Sequence, residues 1–305
     1  MKRITINKTD LAVSPVCLGA DRFGMSYDAE ASFKILDEYA AHGGNFLDTA
    51  AVYCRWVPPG ENISEQIIGR WLQSRRAHAS MLVATKGGHP PCGDVTVSRV
   101  NKKDVESDIH DSLCTLGLDV IDFYWLHRDD PSRPIEEIID MMEDFRRAGY
   151  IRYDGASNYR RDRLETADAY AKSIGVTGFS AVSNRWSPVH ENFYAVGDPT
   201  IVQFYDTDLE FFRTSGMSFI PYNSTARGYF EKRRAGNVNE GMAKLYDNAY
   251  NDALYEKLLC DAERTGSSMQ TVFLRHMISG YDTQIIPITS VSNAAQLDAM
   301  WDIFE

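Results

Sequence analysis

The sequence predicts an α/β fold, a closed (β/α)8 barrel of one domain over residues 1–305, with long loops at its C-terminal rim. Three observations predict it. Short apolar runs with β-branched and aromatic residues recur about eight times, as a barrel requires. Most are followed by an amphipathic stretch, the alternation that builds a parallel sheet. No shift in composition marks a linker within the 305 residues.

The strand candidates in order are Val16–Ala20, Asn45–Asp48, Met81–Thr85, Val120–Leu126, Ile151–Ala156, Phe179–Val182, Ser218–Pro221 and Gln284–Ile288. Between them lie the helices. Phe33, Leu36 and Ala40 mark one that stops at Gly43-Gly44, and Ser64 reads as the N-cap before Ile67, Ile68, Trp71 and Leu72. Val105, Ile109, Leu113 and Leu116 share a face of a helix over 104–116. Ile135, Ile138, Ile139 and Met142 fall at i, i+3, i+4 and i+7, with Pro134 in the first turn and Gly149 just past the end. An open doubly wound sheet is disfavoured, because the first strand runs into Cys-Leu-Gly-Ala-Asp-Arg-Phe-Gly with no Gly-x-Gly-x-x-Gly. The stretch 228–250 is polar, carries Gly and Asn, and reads as a long functional or mobile loop.

Composition narrows the function. Lys+Arg 32 against Asp+Glu 43 gives −11, a field that repels nucleic acid and anionic membrane surfaces. A phosphorylated ligand therefore needs local basic help or a helix N-terminus. Five cysteines without a Cys-x-x-Cys pair read as free thiols of a cytoplasmic protein, with no metal site. No apolar run reaches the roughly 20 residues of a membrane helix, and the basic N-terminus lacks the apolar core of a secretion signal.

In such a barrel the chemistry sits at the C-terminal ends of the strands. After the second strand come Asp48 and then Tyr53, after the third Lys86, after the fourth His127. A tyrosine pKa near 10 is too high for ready proton exchange at neutral pH. An adjacent ammonium lowers it, a carboxylate holds that ammonium in place, and a neutral imidazole can hydrogen-bond a carbonyl oxygen. The set suits protonation of an alkoxide as hydride reaches carbon, or the reverse.

These residues and their surroundings resemble the aldo/keto reductase superfamily over nearly the whole chain. The segments that carry the resemblance are Ser14-Pro15-Val16-Cys17-Leu18-Gly19, Gly44-Asn45-Phe46-Leu47-Asp48-Thr49-Ala50 with Tyr53, and Ser64-Glu65-Gln66-Ile67-Ile68-Gly69. Ala84-Thr85-Lys86, the run Leu116 to Tyr124 with His127, and Ile151-Arg152-Tyr153-Asp154-Gly155-Ala156-Ser157-Asn158 complete it. The resemblance implies that Tyr53 donates the proton, Lys86 and Asp48 tune it, and His127 orients the carbonyl. The run His127-Arg128-Asp129-Asp130-Pro131 looks like a bacterial-type branch.

It also implies a nicotinamide cofactor, NADP(H) or NAD(H), lying across the rim. Ser157 and Asn158 would hold its carboxamide, with Ser183 where the family usually has Gln or Asn and Asn184 one residue on. Tyr222 would stack on the ring. Ala20, Asp21 and Asp48 join the cofactor set at the near end, and Asn223, Ser224, Ala226 and Arg227 form the pyrophosphate loop. Ser292 and Gln296 fall in the adenosine segment, where the family's basic residue for a 2′-phosphate is missing: no Lys or Arg follows Arg275, and Met300 stands near the family's usual Asn. Lys232, with Arg233 and Arg234, is the basic cluster nearest the rim. Cys54 replaces the usual glycine after the tyrosine.

Phe23, Trp56, Trp125, Arg128 and Trp186 are the candidate substrate contacts, with Arg128 free to meet an anion or to pair with Asp129 or Asp130. The expected activity is oxidoreduction of a carbonyl or alcohol on a small polar substrate, a sugar-like one among the candidates; the oligomeric state is left open, a monomer being compatible with the reading. A redox-sensing protein on the same scaffold, or an isomerase or lyase using bound NAD transiently, are the rival readings.

Overall fold

The computed structural model describes residues 3–293, 296, 297 and 303. A short antiparallel hairpin opens the chain, β1 (Ile4–Thr5) and β2 (Ala12–Val13). Then strands and helices alternate: β3 (Cys17–Gly19), α1 (Ala29–Ala41), β4 (Phe46–Asp48), α2 (Ile63–Arg75), β5 (Leu82–Gly87), α3 (Lys102–Leu116), β6 (Ile121–Leu126) and α4 (Ile135–Arg147). The second half continues with β7 (Ile151–Ser157), α5 (Arg161–Ser173), β8 (Ala181–Ser183), α6 (Leu209–Ser215), β9 (Ser218–Phe219), α7 (Tyr229–Arg234), α8 (Glu240–Tyr246), α9 (Ala249–Thr265), α10 (Met269–Ser279) and β10 (Ile288–Thr289).

The eight strands β3 to β10 are all parallel, in the order β10-β3-β4-β5-β6-β7-β8-β9. The ring then closes on itself. Phe219 of β9 bridges Ile285, and the N–H groups of Ile286 and Ile288 donate to the carbonyls of Phe219 and Pro221 at 2.8 and 2.9 Å. All eight strands expected from the sequence are present, in a (β/α)8 barrel.

Two apolar shells hold it together. Side chains alternate across each strand, so Cys17, Phe46, Ala84, Phe123, Trp125, Ala181 and Ile220 fill the barrel interior. Their neighbours Leu18, Leu47, Val83, Tyr124, Val182 and Phe219 face the helices. The N-terminal hairpin closes the barrel floor with Ile6, Leu11 and Val13, all buried against the interior cluster. That hairpin was not foreseen, since two residues per strand leave too short a pattern to read.

Two other expectations change. Ser64 does not cap α2: Asn62 does, its side chain accepting from Glu65 N–H, while Ser64 Oγ donates to the Ala20 carbonyl at 2.8 Å and contacts Thr49 Oγ1. The stretch 228–250 is not an open loop but mostly the helices α7 and α8. Their apolar faces are anchored by Tyr229, Phe230, Met242, Leu245 and Tyr246, and Phe230 packs on Tyr255 and Phe273 with centroids at 5.5 Å. The long irregular segment lies instead between β8 and α6.

Candidate active site

The same alternation that fills the barrel builds the site. On six of the strands the inward position two residues above an interior residue arrives at the rim carrying a polar side chain. Phe46 is followed by Asp48, Ala84 by Lys86, Trp125 by His127, Gly155 by Ser157, Ala181 by Ser183 and Ile220 by Tyr222. Backbone bonds continue the ladder beyond the strands and fix these ends: Ala20 N–H to Asp48 O, Ala51 N–H to Lys86 O and His127 N–H to Gly87 O, at 2.9 to 3.0 Å. Behind β5, the fully buried Glu65 accepts from Asn62, Thr85 and Ser112, tying α2, β5 and α3 together. Glu65 belongs to the quoted family segments, but this bracing role was not read from the sequence.

Asp48, Tyr53, Lys86 and His127 meet at one place. Lys86 Nζ reaches Asp48 Oδ2 at 2.5 Å, the Thr49 carbonyl at 2.8 Å and Tyr53 Oη at 3.0 Å. Three N–H donors thus meet three oxygens, which fixes the ammonium's position. The Lys86 and Asp48 side chains are 3% and 4% exposed, so this ion pair is shielded from water. His127 stands edge-on to Tyr53, ring centroids 6.0 Å apart.

The electrostatics follow from burial. Burial opposes the Lys86 ammonium, but Asp48 and Tyr53 outweigh it and hold its pKa above the ordinary value. Burial pushes the Asp48 carboxyl up, against the pull of Lys86. Burial pushes the Tyr53 phenol to about 12, and the ammonium offsets only part of that. The expected lowering by Lys86 is therefore present but outweighed, so the phenol stays protonated at neutral pH. Burial, reinforced by Arg128, His89 and Lys86, holds His127 well below its usual range. The imidazole is neutral at pH 7.

His89 belongs to this arrangement and was not singled out from the sequence. Its ring packs edge-on against His127 at 4.8 Å. Its place three residues after Lys86, in Lys86-Gly87-Gly88-His89, was the available signal.

The groups expected around a cofactor lie along the rim from β7 to β10. Ser157 Oγ donates to Ser183 O at 2.8 Å. Asn158, at φ 62°, donates to His127 O and Ser157 Oγ and accepts from Val202 N–H and Tyr222 Oη, the last at 2.6 Å. Ser183 Oγ and Thr289 Oγ1 are buried without a partner among the described residues, polar atoms that a polar ligand across this rim would satisfy. The donor set fits a nicotinamide cofactor on that ground. Asn184 is spent elsewhere, bonding the backbone of Tyr159 at both ends. Ala20 is buried, and Asp21 accepts from Ser290 Oγ at 2.5 Å, which joins the loop after β3 to that after β10. Ser224 Oγ donates to Ile288 O, and Asn223, Ala226 and Arg227 all hold positive φ, so this turn is tightly wound. Ser292 N–H donates to Gln296 Oε1 at 2.5 Å. Met300 lies outside the described residues.

The basic cluster divides. Arg233 pairs with Asp252 at 2.6 Å and lies 4.4 Å over the Tyr255 ring, whereas Lys232 and Arg234 are exposed.

The aromatic candidates divide too. Trp56 is 48% exposed, stands edge-on to Tyr53 at 6.0 Å and donates to Met25 Sδ. Phe23 is buried, its carbonyl accepting from Cys54 Sγ. Trp125 is fully buried inside the barrel, one layer below the rim. Trp186 is buried behind the strands against Phe219 and Tyr281, and its indole N–H donates to Asp206. The structure thus brings Trp56 to the mouth but not Trp125 or Trp186. Arg128 pairs with Asp198 and Thr200 across the segment after β8, while Asp129 takes Arg163 and Asp130 takes Ser132.

Comparison with known proteins agrees with this geometry. The sequence model of the Aldo/keto reductase family matches residues 15–305. An aldo-keto reductase of Emericella nidulans is 28% identical over 91% of this chain and 71% of its own length. An aryl-alcohol dehydrogenase [NADP(+)] of Phanerodontia chrysosporium is 31% identical over 58% of this chain and 49% of its own. Norsolorinic acid reductase B of Dothistroma septosporum is 28% identical over 72% and 55% respectively. A match that takes in all four groups gathered at the rim makes this chain a member of the aldo/keto reductase family, an NAD(P)-dependent oxidoreductase.

Proposed function

We propose that the chain, working as one barrel unit over residues 1–305, interconverts a carbonyl and an alcohol on a small polar, ring-bearing substrate. The contact between Lys86 Nζ and Tyr53 Oη at 3.0 Å, backed by Asp48, carries this reading. When bound, the nicotinamide supplies or accepts the hydride. Tyr53 Oη gives its proton to the oxygen that becomes the hydroxyl, or takes it back in the reverse direction. The Lys86 ammonium stabilises the phenolate left behind, and its own charge is held by Asp48. The neutral imidazole of His127 orients the carbonyl oxygen.

Ser157, Asn158, Ser183 and Tyr222 would hold the nicotinamide end, with Ala20 and Asp21 beside them. Asn223, Ser224, Ala226 and Arg227 would meet the pyrophosphate, and Ser292, Gln296 and Lys232 the far end. NADP is favoured by the name of the Phanerodontia relative, with NAD the alternative. The exposed face of Trp56 beside Tyr53 supports a substrate with a flat or pyranose-like ring, whether a sugar or an aryl carbonyl. The free cysteines support placement in the cytoplasm.

The test is direct. NADPH or NADH should quench the tryptophan fluorescence of the protein, and sugars or aldehydes should be turned over at the nicotinamide absorbance. Tyr53→Phe should lower turnover by about a hundred- to ten-thousand-fold with cofactor affinity within about twofold of wild type. Retained turnover removes Tyr53 from the assigned role.

A further inference from the structure

A cavity of about 190 Å³ lies between the turn after β4, the loop after β5 and helix α3. Arg55, Lys86, His89, Cys92, Arg99 and Asp108 contribute to its wall, with Val52 and Pro90 among its apolar parts. It adjoins the reacting groups in two ways. Lys86 belongs to both, and His89 lines the cavity while its ring rests on His127. Arg55 stands two residues beyond Tyr53.

The charges in the wall do not cancel. Asp108 is its carboxylate, and it is spent: its oxygens accept from Arg99 Nη1 and Nη2 and from Gly88 N–H. Lys86 is matched by Asp48. Arg99 uses three of its donor positions on Asp108 and the His89 carbonyl, which leaves Nε–H and one Nη2–H. The Arg55 side chain makes no hydrogen bond or ion pair among the described residues; it lies in the field of the buried Glu65 carboxyl, but its guanidinium donors remain unused. Burial, with Arg128, pushes His89 down to about 4, so the ring adds no charge of its own at neutral pH. In a chain of net charge −11 this is a local positive spot beside the catalytic lysine.

We propose that this cavity is a subsite for an oxyanion carried on the carbonyl substrate, a carboxylate or phosphate on a short stem, gripped by Arg55 with the spare donors of Arg99 behind it. The guanidinium fork suits the paired oxygens of either group. The apolar wall from Val52 and Pro90 accepts the stem, and the shared position of Lys86 and His89 keeps the anion within one small molecule's reach of the reacting carbonyl. The inference rests on the carbonyl-reductase reading for where the reacting end lies. It turns the substrate class from a neutral ring into an acidic one.

Two matched pairs test it on the full chain with cofactor bound. They are 4-carboxybenzaldehyde against benzaldehyde, and glyceraldehyde 3-phosphate against glyceraldehyde. Dissociation constants come from calorimetry, and turnover is read separately. The acidic member of at least one pair should bind about tenfold more tightly, a gain of the size expected for one charge-assisted contact that is partly exposed. The pair that shows the gain tells carboxylate from phosphate. In Arg55→Gln the ratio of the two affinities should fall to near one. The Arg55 side chain makes no hydrogen bond or ion pair among the described residues, and its backbone bond to Val52 is kept in the variant, so this substitution removes no bond that holds the fold. Equal affinities within twofold in both pairs, or a preference that survives Arg55→Gln, overturns the subsite. An acid that binds tightly but is never turned over leaves the subsite standing and counts against the oxidoreductase reading. Turnover of the neutral members without an acid preference does the reverse.

Discussion

Replacing Lys86 by methionine isolates the buried ion pair from the packing around it. Methionine keeps much of the stem's volume and removes the charge. It leaves the Asp48 carboxylate, 4% exposed, with Oδ1 already unpartnered among the described residues and Oδ2 newly so. Removing one member of a buried pair costs about 3–5 kcal/mol. The carboxyl can escape by taking a proton, and each pH unit above its ordinary 3.9 makes that cost about 1.4 kcal/mol. The charge penalty is therefore capped at about 4 kcal/mol at pH 7 and at about 1.5 kcal/mol at pH 5. The sign follows from linkage. In the variant the folded carboxyl binds its proton more tightly than the unfolded one, so folding is most penalised at high pH and recovers as pH falls towards 4. Urea unfolding of wild type and variant at pH 7 and pH 5, followed by tryptophan fluorescence, measures the difference. Because burial already raises Asp48 in the wild type, the deficit should shrink on acidification by at most about 2.5 kcal/mol. A deficit equal at both pH values, or below about 1 kcal/mol at pH 7, refutes the shielded pair.

Other consequences are simpler to read. His127 is held well below its usual range, His89 sits at about 4 and Tyr53 at about 12, so none of these titrates near neutrality. Carbonyl reduction at saturating cofactor should be flat from pH 6 to 9 to within about twofold; an ionisation in that window would contradict a neutral His127. Asp154 is pushed by burial to about 6 despite its contact with Arg146, so its share of stability rises as pH falls from 6 towards 4. Asp154→Asn should remove that part of the pH dependence, and parallel slopes for wild type and variant would count against it. Lys232→Ala should weaken NADPH binding about three- to tenfold and leave NADH alone if that loop serves the 2′-phosphate; equal losses for both cofactors would reject the assignment.

What could be read in advance was what local periodicity encodes. The rim set was legible because strand alternation carries an apolar interior position to a polar one two residues later, as Ala84 leads to Lys86 and Trp125 to His127. The same rule, applied strictly, would have placed Trp125 inside the barrel below the site rather than in its mouth. Other features depend on contacts far apart in sequence. Arg128 had nearby Asp129 and Asp130 to choose from, yet its partner is Asp198, 70 residues away. Trp186 follows β8 closely but turns behind the strands, where Phe219 and Tyr281 receive it. The helices over 228–250 were obscured by Gly and Asn at their ends, Gly228 at φ 74° and Asn239 as a cap, though the apolar residues that dock them were there to be read. The balance at Tyr53 was also out of reach. The sequence names the lysine that lowers a phenol's pKa, but only the packed structure shows that burial outweighs it.

The acidity of the chain takes on a definite meaning in this setting. Most of its arginines are answered by a carboxylate, and even Arg233 of the basic cluster is held by Asp252. At the proposed adenosine end, Ser292 N–H is occupied by the Gln296 side chain, so this backbone donor would have to change partner before serving a phosphate. Of the cations without a carboxylate partner among the described residues, four bear on ligand binding. Lys232 and Arg234 stand exposed on α7, Arg227 is exposed in the tight turn before it, and Arg55 faces the cavity beside Lys86. In a field that repels anions overall, an unpaired guanidinium or ammonium discriminates by position, because only an anion already aligned with the rim gains its full attraction. The far cations would then select the cofactor's phosphates and Arg55 the substrate's acid. Raising the salt concentration should erode both preferences together while leaving the shielded Lys86–Asp48 pair untouched.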